Sequence, residues 1–503
     1  MKVWMLSFES VYTRKVGGLA EVPPRLSEAL SRRGVDVEVY TPSHGLSRTT
    51  SLGGEVYRIV VGGEEYSIRE YNAPVKHYVV TGGVLEEQVV YSWNLHVKSL
   101  IFARVMREYY VHRALRGEAP RVVHGHDWHS FPALLAINAE STERNFPTTI
   151  FYHIHLLSHE SMRLQDLTSI VGLQESNNIR GSLGVRSLRE YYELSGGWIE
   201  KLAALTSDKV LTVSRGYAQD IVKTLGLSSE EKVDYVFNAL TLTWNEVLEV
   251  ASKIIGERDP FEYETRRLVR EKLLRELWPA IRVENPDPEA NSIVNKLLGE
   301  YKVSFREPFK RDGPLILLVG RATRQKGVDF LLKSMDKLTA EIPDARVVLA
   351  VIPLPGVRDL LEDAIKSMLL FPDNLRVLPG YVGREHLLLL YYAASALLAP
   401  SRYEPFGLVV LESMVSGTPV VASNTGGFRD LVLDVRKHGV SGTGALFTPL
   451  DREDMINALK NVVGVIEAGG VISAKLRRRC VDFAKEFTWD KSAEKLVGLY
   501  GFK

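Results

Sequence analysis

Two blocks of strand–turn–helix alternation, residues 1–240 and 311–475, stand on either side of a charge-rich stretch, residues 241–310, that lacks it. This rhythm is the strongest constraint on the fold. A strand that feeds a helix and then another strand requires a parallel sheet with right-handed crossovers. At 503 residues the chain is too long for one ordinary core. The expectation is an α/β protein of two doubly wound Rossmann-like domains facing a central cleft.

The first block opens with an apolar run, Met1 to Phe8, read as a strand. Gly17 and Gly18 make a turn, Leu19 to Arg33 has helical spacing in spite of an early proline pair, and VDVEVYTP is the next strand. Glycines between a strand and a helix let a phosphate or sugar approach backbone N–H groups, and Lys15 stands beside them as a point charge. The plainer alternative is a βα turn with a solvated lysine. Residues 50–95 read as short strands or a hairpin. HGHDWHS (124–130) is a strand end running into a polar turn. The spacing of His124, His126 and His129 fits a metal. No carboxylate or cysteine partner accompanies them, however, so a structural or substrate-facing role is expected and no metal site. The strand Thr148 to His155 carries His153 and His155 on one face. Its carboxyl end is where ligands bind in such sheets, which favours His155. Ser214 is a helix cap, and DYVFNAL (234–240) ends the block.

Residues 241–310 are helical in period and broken by Pro260, Pro279, Pro286 and Pro288. They read as two or three amphipathic helices without a strand, an insertion or linker suited to packing or to homo-oligomer contacts.

The second block resumes at Gly313. PLILLVG, RVVLAVI, LRVLPGYV, ALLAPS and TPVVAS are five buried strands, each followed by a turn and helix. Arg321 and Lys326 lie in the first turn. Glu404 sits on a loop, because Pro405 and Gly407 disfavour a helix there, and Glu412 sits in the helix that follows. Thr425, Gly426 and Gly427 open the next turn as a helix N-terminus. Two cations and two helix starts make a site for a diphosphate; each charge-assisted hydrogen bond contributes about 1.5–3 kcal/mol and a helix end about 0.3–1 kcal/mol. No Walker A sequence and no Asp-x-Asp dyad is present, which disfavours phosphoryl transfer and metal use. Residues 476–503 read as two helices that return to the first domain.

The composition, 45% hydrophobic and 25% charged, is that of a soluble globular protein, and a net charge of +1 recruits neither nucleic acid nor an anionic membrane. The single cysteine, Cys480, excludes an intrachain disulfide. The N-terminal apolar run is too short for a signal or a membrane span, so a cytoplasmic location is expected.

KVGGLAEV (15–22), HGHDWHS (124–130), GRATRQKG (320–327), YEPFGLVVLESMVSGTPVV (403–421) and NTGGFRDLV (424–432) resemble, in order, the motif set of the glycogen/starch synthases. These are retaining glucosyltransferases of the GT-B fold, and the resemblance covers both blocks but not 241–310. It implies a nucleotide-glucose donor, ADP- or UDP-glucose, an α-1,4-glucan acceptor and no cofactor. Lys15 and Gly18 would meet the donor phosphates, and Arg321 and Lys326 would hold the diphosphate. Glu404, with the backbone of Phe406 and Gly407, would bind glucose, as would His155 and Asp127. Glu412 would bind the ribose, Thr425 and Gly426 the phosphates, and Tyr381 would lie near the base. The tail sequence FTWDKSAEKL (487–496) resembles the family's closing helix. Three departures stand out: Asn238-Ala239 in place of Asn-Gly, a second histidine in the HIHLL strand, and the 241–310 segment. Alternatives are another retaining transferase forming trehalose, sucrose or a glycolipid, a nucleotide-sugar epimerase, and a non-catalytic glucan-binding protein.

Overall fold

The computed structural model describes residues 1–227, 232–285, 287–354, 356 and 358–501; Pro286 and the last two residues of the tail lie outside them. It divides into two units. One comprises Met1–Asn238 and Thr488–Lys503, the other Ala239–Phe487.

In the first unit β1 (Lys2–Leu6), α1 (Val22–Arg32) and β2 (Asp36–Pro42) form the opening βαβ. The helix starts later than its apolar spacing predicts. Gly18–Glu21 is a separate 3-10 turn, and Pro23 and Pro24 occupy the first turn of α1, where a missing N–H costs nothing. Next come β3 (Glu55–Val61), β4 (Glu64–Tyr71), β5 (Lys76–Thr81), α2 (Leu95–Ala114), β6 (Val122–His126), α3 (Phe131–Glu143) and β7 (Thr149–Ile154). They are followed by α4 (Leu164–Ser169), a small hairpin of β8 (Asn178–Gly181) and β9 (Gly184–Ser187), α5 (Leu188–Ser195), α6 (Ile199–Thr206), β10 (Lys209–Thr212), α7 (Arg215–Leu225) and a short β11 (Val233–Tyr235). Ser214 caps α7 by accepting from the Tyr217 N–H. Apart from the β8–β9 hairpin, the described strands form one nine-stranded sheet, ordered β11-β10-β7-β6-β1-β2-β5-β4-β3. It is parallel from β11 to β5, and β4 and β3 add an antiparallel edge.

The second unit begins with α8 (Trp244–Ile255), α9 (Tyr263–Lys272), β12 (Val283–Glu284) and α10 (Pro288–Tyr301). Residues 241–310, expected between two domains and without a strand, thus belong to this unit and contribute one. β12 pairs antiparallel with β16 (Tyr381–Val382), which follows β13 (Leu315–Arg321), α11 (Val328–Leu332), α12 (Met335–Glu341), β14 (Arg346–Ile352), α13 (Arg358–Leu370) and β15 (Leu375–Pro379). LRVLPGYV therefore serves two sheets, broken at Gly380. A Cβ there would stand 2.7 Å from Val283 Cγ1, so only glycine lets β12 approach.

The remainder is α14 (Arg384–Ala393), β17 (Ala396–Ala399), α15 (Leu408–Val415), β18 (Val420–Ser423), α16 (Phe428–Leu431), α17 (Val435–His438), β19 (Gly444–Phe447), α18 (Arg452–Glu467) and α19 (Gly470–Ala484). Apart from β12 and β16, the described strands form a parallel six-stranded sheet, β15-β14-β13-β17-β18-β19, one more than the sequence reading found; β19 is a four-residue run that begins with Gly444. α20 (Trp489–Leu499), capped by Thr488, packs on α1 in the first unit. Only this part of the tail joins that unit. α19 stays with the second, its Arg477 and Cys480 buried.

No single described helix is long and apolar enough to cross a membrane. The bent pair α18 and α19 passes by composition, but α18 supplies Met455, Leu459 and Val462 to the core.

Candidate functional site

The second sheet changes direction between β13 and β17: β14 and β15 were added on one side, β17 to β19 on the other. A doubly wound sheet opens its ligand crevice at such a switch point, beyond the strand carboxyl ends. The turns after β13, β17 and β18 meet there. Arg402 N–H donates to the Gln325 carbonyl (2.8 Å), and the Gln325 amide returns a bond to the Tyr403 carbonyl. Gly427 N–H donates to the Glu404 carbonyl (2.9 Å). Two glycines permit this closeness. Gly426 has φ 45°, and a Cβ on it would stand 2.0 Å from the Glu404 carbonyl oxygen. Gly407 has φ 105°, and its Cβ would stand 2.5 Å from the Phe428 ring.

At the centre, Lys326 Nζ donates to Glu404 Oε2 at 2.5 Å, with both side chains largely buried. The three predicted elements Lys326, Glu404 and the Thr425–Gly427 turn are thus one interlocked cluster, and Phe406 is buried against it. Glu412 half-emerges from α15 and accepts from the buried Tyr391 hydroxyl of α14 (2.9 Å). Burial first, then this carboxylate, pushes the Tyr391 phenol well up, so it stays a donor. Arg321 is exposed at the end of β13, and Tyr381 is exposed on β16 opposite Glu284.

The expected helix N-terminus at Thr425–Gly427 needs correction. α16 has four residues, too few for an appreciable dipole, and the Thr425 and Gly427 N–H groups bond to Ser423 and Glu404. The Gly426 N–H is the one of the three with no protein acceptor among the described residues. α15 has eight residues and starts at Leu408 with its first N–H groups unused by the helix.

In the first unit the strand ends are held by three buried carboxylates, each accepting two consecutive backbone N–H groups. Glu9 holds Val16 and Gly17 (both 2.7 Å) and also accepts from Tyr91. Asp127 Oδ1 holds His155 (2.7 Å) and Leu156 (3.2 Å), and Glu200 holds Ser158 (2.8 Å) and His159 (3.1 Å). Burial pushes Asp127 up to about 7; its two N–H bonds oppose this, and the Glu200 and Glu9 charges add to it. Asp127, read from the sequence as facing a sugar, therefore spends one oxygen on the backbone of His155. Lys15 is exposed and pairs with Glu21 (2.7 Å), and Gly18 begins the 3-10 turn rather than a longer helix. The sequence reading passed over Glu9 and Glu200. The abrupt change from apolar to acidic at Glu9 was a usable signal; Glu200, inside an amphipathic helix, gave none.

His155 lies one residue past β7, and His153 is sealed inside it. With His124 and His126 of β6 they form a ladder: His124 Nε2 meets His153 Nδ1 (3.2 Å), His126 Nδ1 meets His155 Nε2 (2.8 Å), and His124 Nδ1 meets the Tyr500 hydroxyl (2.6 Å). His124, His126 and His153 bring ring nitrogens within 4.8 Å of one another. Their planes lie within 10° to 29° of parallel. Burial holds all four rings well below the ordinary histidine range, hence neutral.

Comparison with known proteins fits this architecture. The family model for the starch synthase catalytic domain matches residues 2–233, and that for glycosyl transferases group 1 matches 301–486. The chain is 26% identical to the glycogen synthase of Thermotoga maritima, over 99% of this chain and 98% of that one. Among solved structures it resembles the catalytic domain of starch synthase IV from Arabidopsis thaliana bound to ADP and acarbose (TM-score 0.68, 19% identity, 99% and 98% covered). It also resembles a sucrose-phosphate synthase from Thermosynechococcus elongatus (TM-score 0.57, 18% identity, 99% and 98% covered). At such identities the structural likeness establishes the fold.

Proposed function

We propose that this chain, which belongs to the glycogen/starch synthase family and is a glycosyltransferase of the GT-B fold, transfers glucose from ADP- or UDP-glucose to the non-reducing end of an α-1,4-glucan, with retention, in the cytoplasm. The observation that carries the reading is the Lys326–Glu404 pair seated at the switch point of the second sheet and locked by the Gly426–Gly427 turn. An ammonium has three donors. One is given to Glu404, which leaves two for phosphate oxygens, and Arg321 brings a second cation at the same strand end. Glu404 accepts from sugar hydroxyls with Phe406 and Gly407 beside it, Glu412 reads the ribose, and Thr425 and Gly426 approach the phosphates. In the first unit Lys15 and Gly18 serve the phosphates, and His155, positioned by Asp127, serves the glucose. Tyr381 is assigned to the base.

In the chemical step the acceptor 4-hydroxyl oxygen bonds to C1 of glucose as the bond from C1 to the diphosphate oxygen breaks. The hydroxyl proton passes to the departing diphosphate oxygen. No protein nucleophile is required, and the protein's contribution is positioning and stabilisation of the charge on the leaving group.

The test is incorporation of labelled glucose from ADP-glucose and from UDP-glucose into glycogen, with free glucose and fructose as competing acceptors. Label in glycogen from either donor is expected, and Lys326→Ala is expected to lower kcat by about a hundredfold or more. Label in a disaccharide, release of free sugar without an acceptor, or near-normal turnover by Lys326→Ala would overturn the reading.

A further inference from the structure

The His-x-His patterns of β6 and β7 lie on neighbouring parallel strands with His126 opposite His153. Alternation along each strand puts all four rings on one face. A neutral imidazole carries one N–H and one lone pair. The contact between His126 Nδ1 and His155 Nε2, 2.8 Å long, therefore holds one proton, and its location fixes both tautomers.

The surroundings decide the location. His126 is completely buried, and its Nε2 has no hydrogen-bond partner among the described residues. A proton there would be a sealed, unmatched donor, which costs about 1–3 kcal/mol and is rare in folded proteins. With the proton on His126 Nδ1, that N–H donates to His155 Nε2. His155 then carries its own proton on Nδ1. That nitrogen is not sealed, because His155 keeps 9% of its surface at the strand end. The ring cannot turn to swap its nitrogens freely. It is stacked on His153 (4.3 Å, 27°) and His126 (5.0 Å, 29°), and its backbone N–H is fixed by Asp127.

We propose that His126 is a positioning residue that locks His155 in the tautomer protonated at Nδ1, so that the strand-end ring offers an N–H donor, not a base, to an oxygen of the transferred sugar. The sugar's identity rests on the function proposed above; the tautomer does not.

The experiment is a long-range proton–nitrogen correlation spectrum of the full chain labelled with nitrogen-15 in histidine, with His155 assigned by its loss in His155→Gln. The expected pattern for His155 has Nδ1 protonated and Nε2 bare. Observation of the reverse in the wild-type protein overturns the proposal, whatever the activity and whether or not any His126 variant folds. His126→Asp replaces the donor by an acceptor at nearly the same position. It is expected to move the His155 proton to Nε2 and to lower kcat by at least about tenfold with little change in KM. His126→Asn places an N–H near the position of Nδ1 and should keep most of the activity together with the original pattern. An unchanged His155 pattern in His126→Asp also overturns the proposal. If the tautomer is as stated and no glucose transfer occurs, the function above is what fails.

Discussion

At Asp127 burial and hydrogen bonding pull in opposite directions. Burial, with Glu200 and Glu9 near by, lifts the carboxyl to about 7, while the N–H groups of His155 and Leu156 resist. The folded chain thus keeps a proton that the unfolded chain loses near pH 4, so the residue's contribution to stability is full below that and is lost as pH rises through 7. Asparagine retains the oxygen that accepts both N–H bonds and removes the ionisation. Asp127→Asn is therefore expected to gain on the parent by about 2 kcal/mol between pH 5 and 8, measured by urea denaturation of the first unit. A difference that does not vary with pH would show that the carboxyl is not buried as described. Much at this scale was legible in the sequence, because Lys326, Glu404 and His155 are special in type and stand at strand ends. What was not legible is which atoms are already committed: the Gly427 N–H to Glu404, one Asp127 oxygen to the His155 backbone, and the Glu9 and Glu200 carboxylates to neighbouring loops.

Among elements, the helices at 241–310 are a buttress for the helices that carry the candidate site. Arg266 of α9 is 1% exposed. It donates to the carbonyls of Tyr392 (2.6 Å), at the end of α14, and of Ser416 (2.9 Å), at the end of α15, and lies 3.9 Å over the Tyr392 ring. Arg477 of α19 does the same for Ala394 (3.3 Å) and Gly417 (3.1 Å). A cation at two helix C-termini satisfies carbonyls the helices leave open and opposes their dipoles. These two helices hold Glu412 and its partner Tyr391. Arg266→Ala strands buried carbonyls and opens a void, with an expected loss of about 3–5 kcal/mol. Arg266→Lys should recover less than half, because an ammonium loses the Nε bond to the Pro260 carbonyl (2.9 Å) and the planar stacking on the Tyr392 ring. Full recovery with lysine, read in thermal melts, would count against this role. The sequence showed the amphipathic period of these helices but not the identity of the surface they cover. The two-residue β12 was invisible to any periodicity, since its pairing is decided by the gap that Gly380 leaves.

For the whole molecule, the alternating rhythm predicted two parallel sheets because strands buried on both faces are continuous apolar runs. The boundary inside the tail followed from packing and was not readable: α19 and α20 are similar helices, yet the chain changes unit between Phe487 and Thr488. Trp489, Ala493, Leu496 and Tyr500 are buried in the first unit, and the Ser492 hydroxyl donates to the Phe237 carbonyl (2.6 Å). Each large apolar side chain so placed contributes about 1.5–3 kcal/mol. Removal of residues 488–503 should therefore abolish hydrogen-exchange protection in α1, β6 and β7 and leave β13, β14 and β17 protected. Uniform loss in both sheets, or in neither, would contradict the assignment. The same crossing has a meaning in time. Tyr500, which reaches His124, belongs to the first unit but is synthesised after all of Ala239–Phe487. At about 5–20 residues per second, a ribosome needs roughly 10–50 s for that interval. The histidine ladder of the nascent first unit stays without its tyrosine throughout, so this chain finishes folding at its beginning.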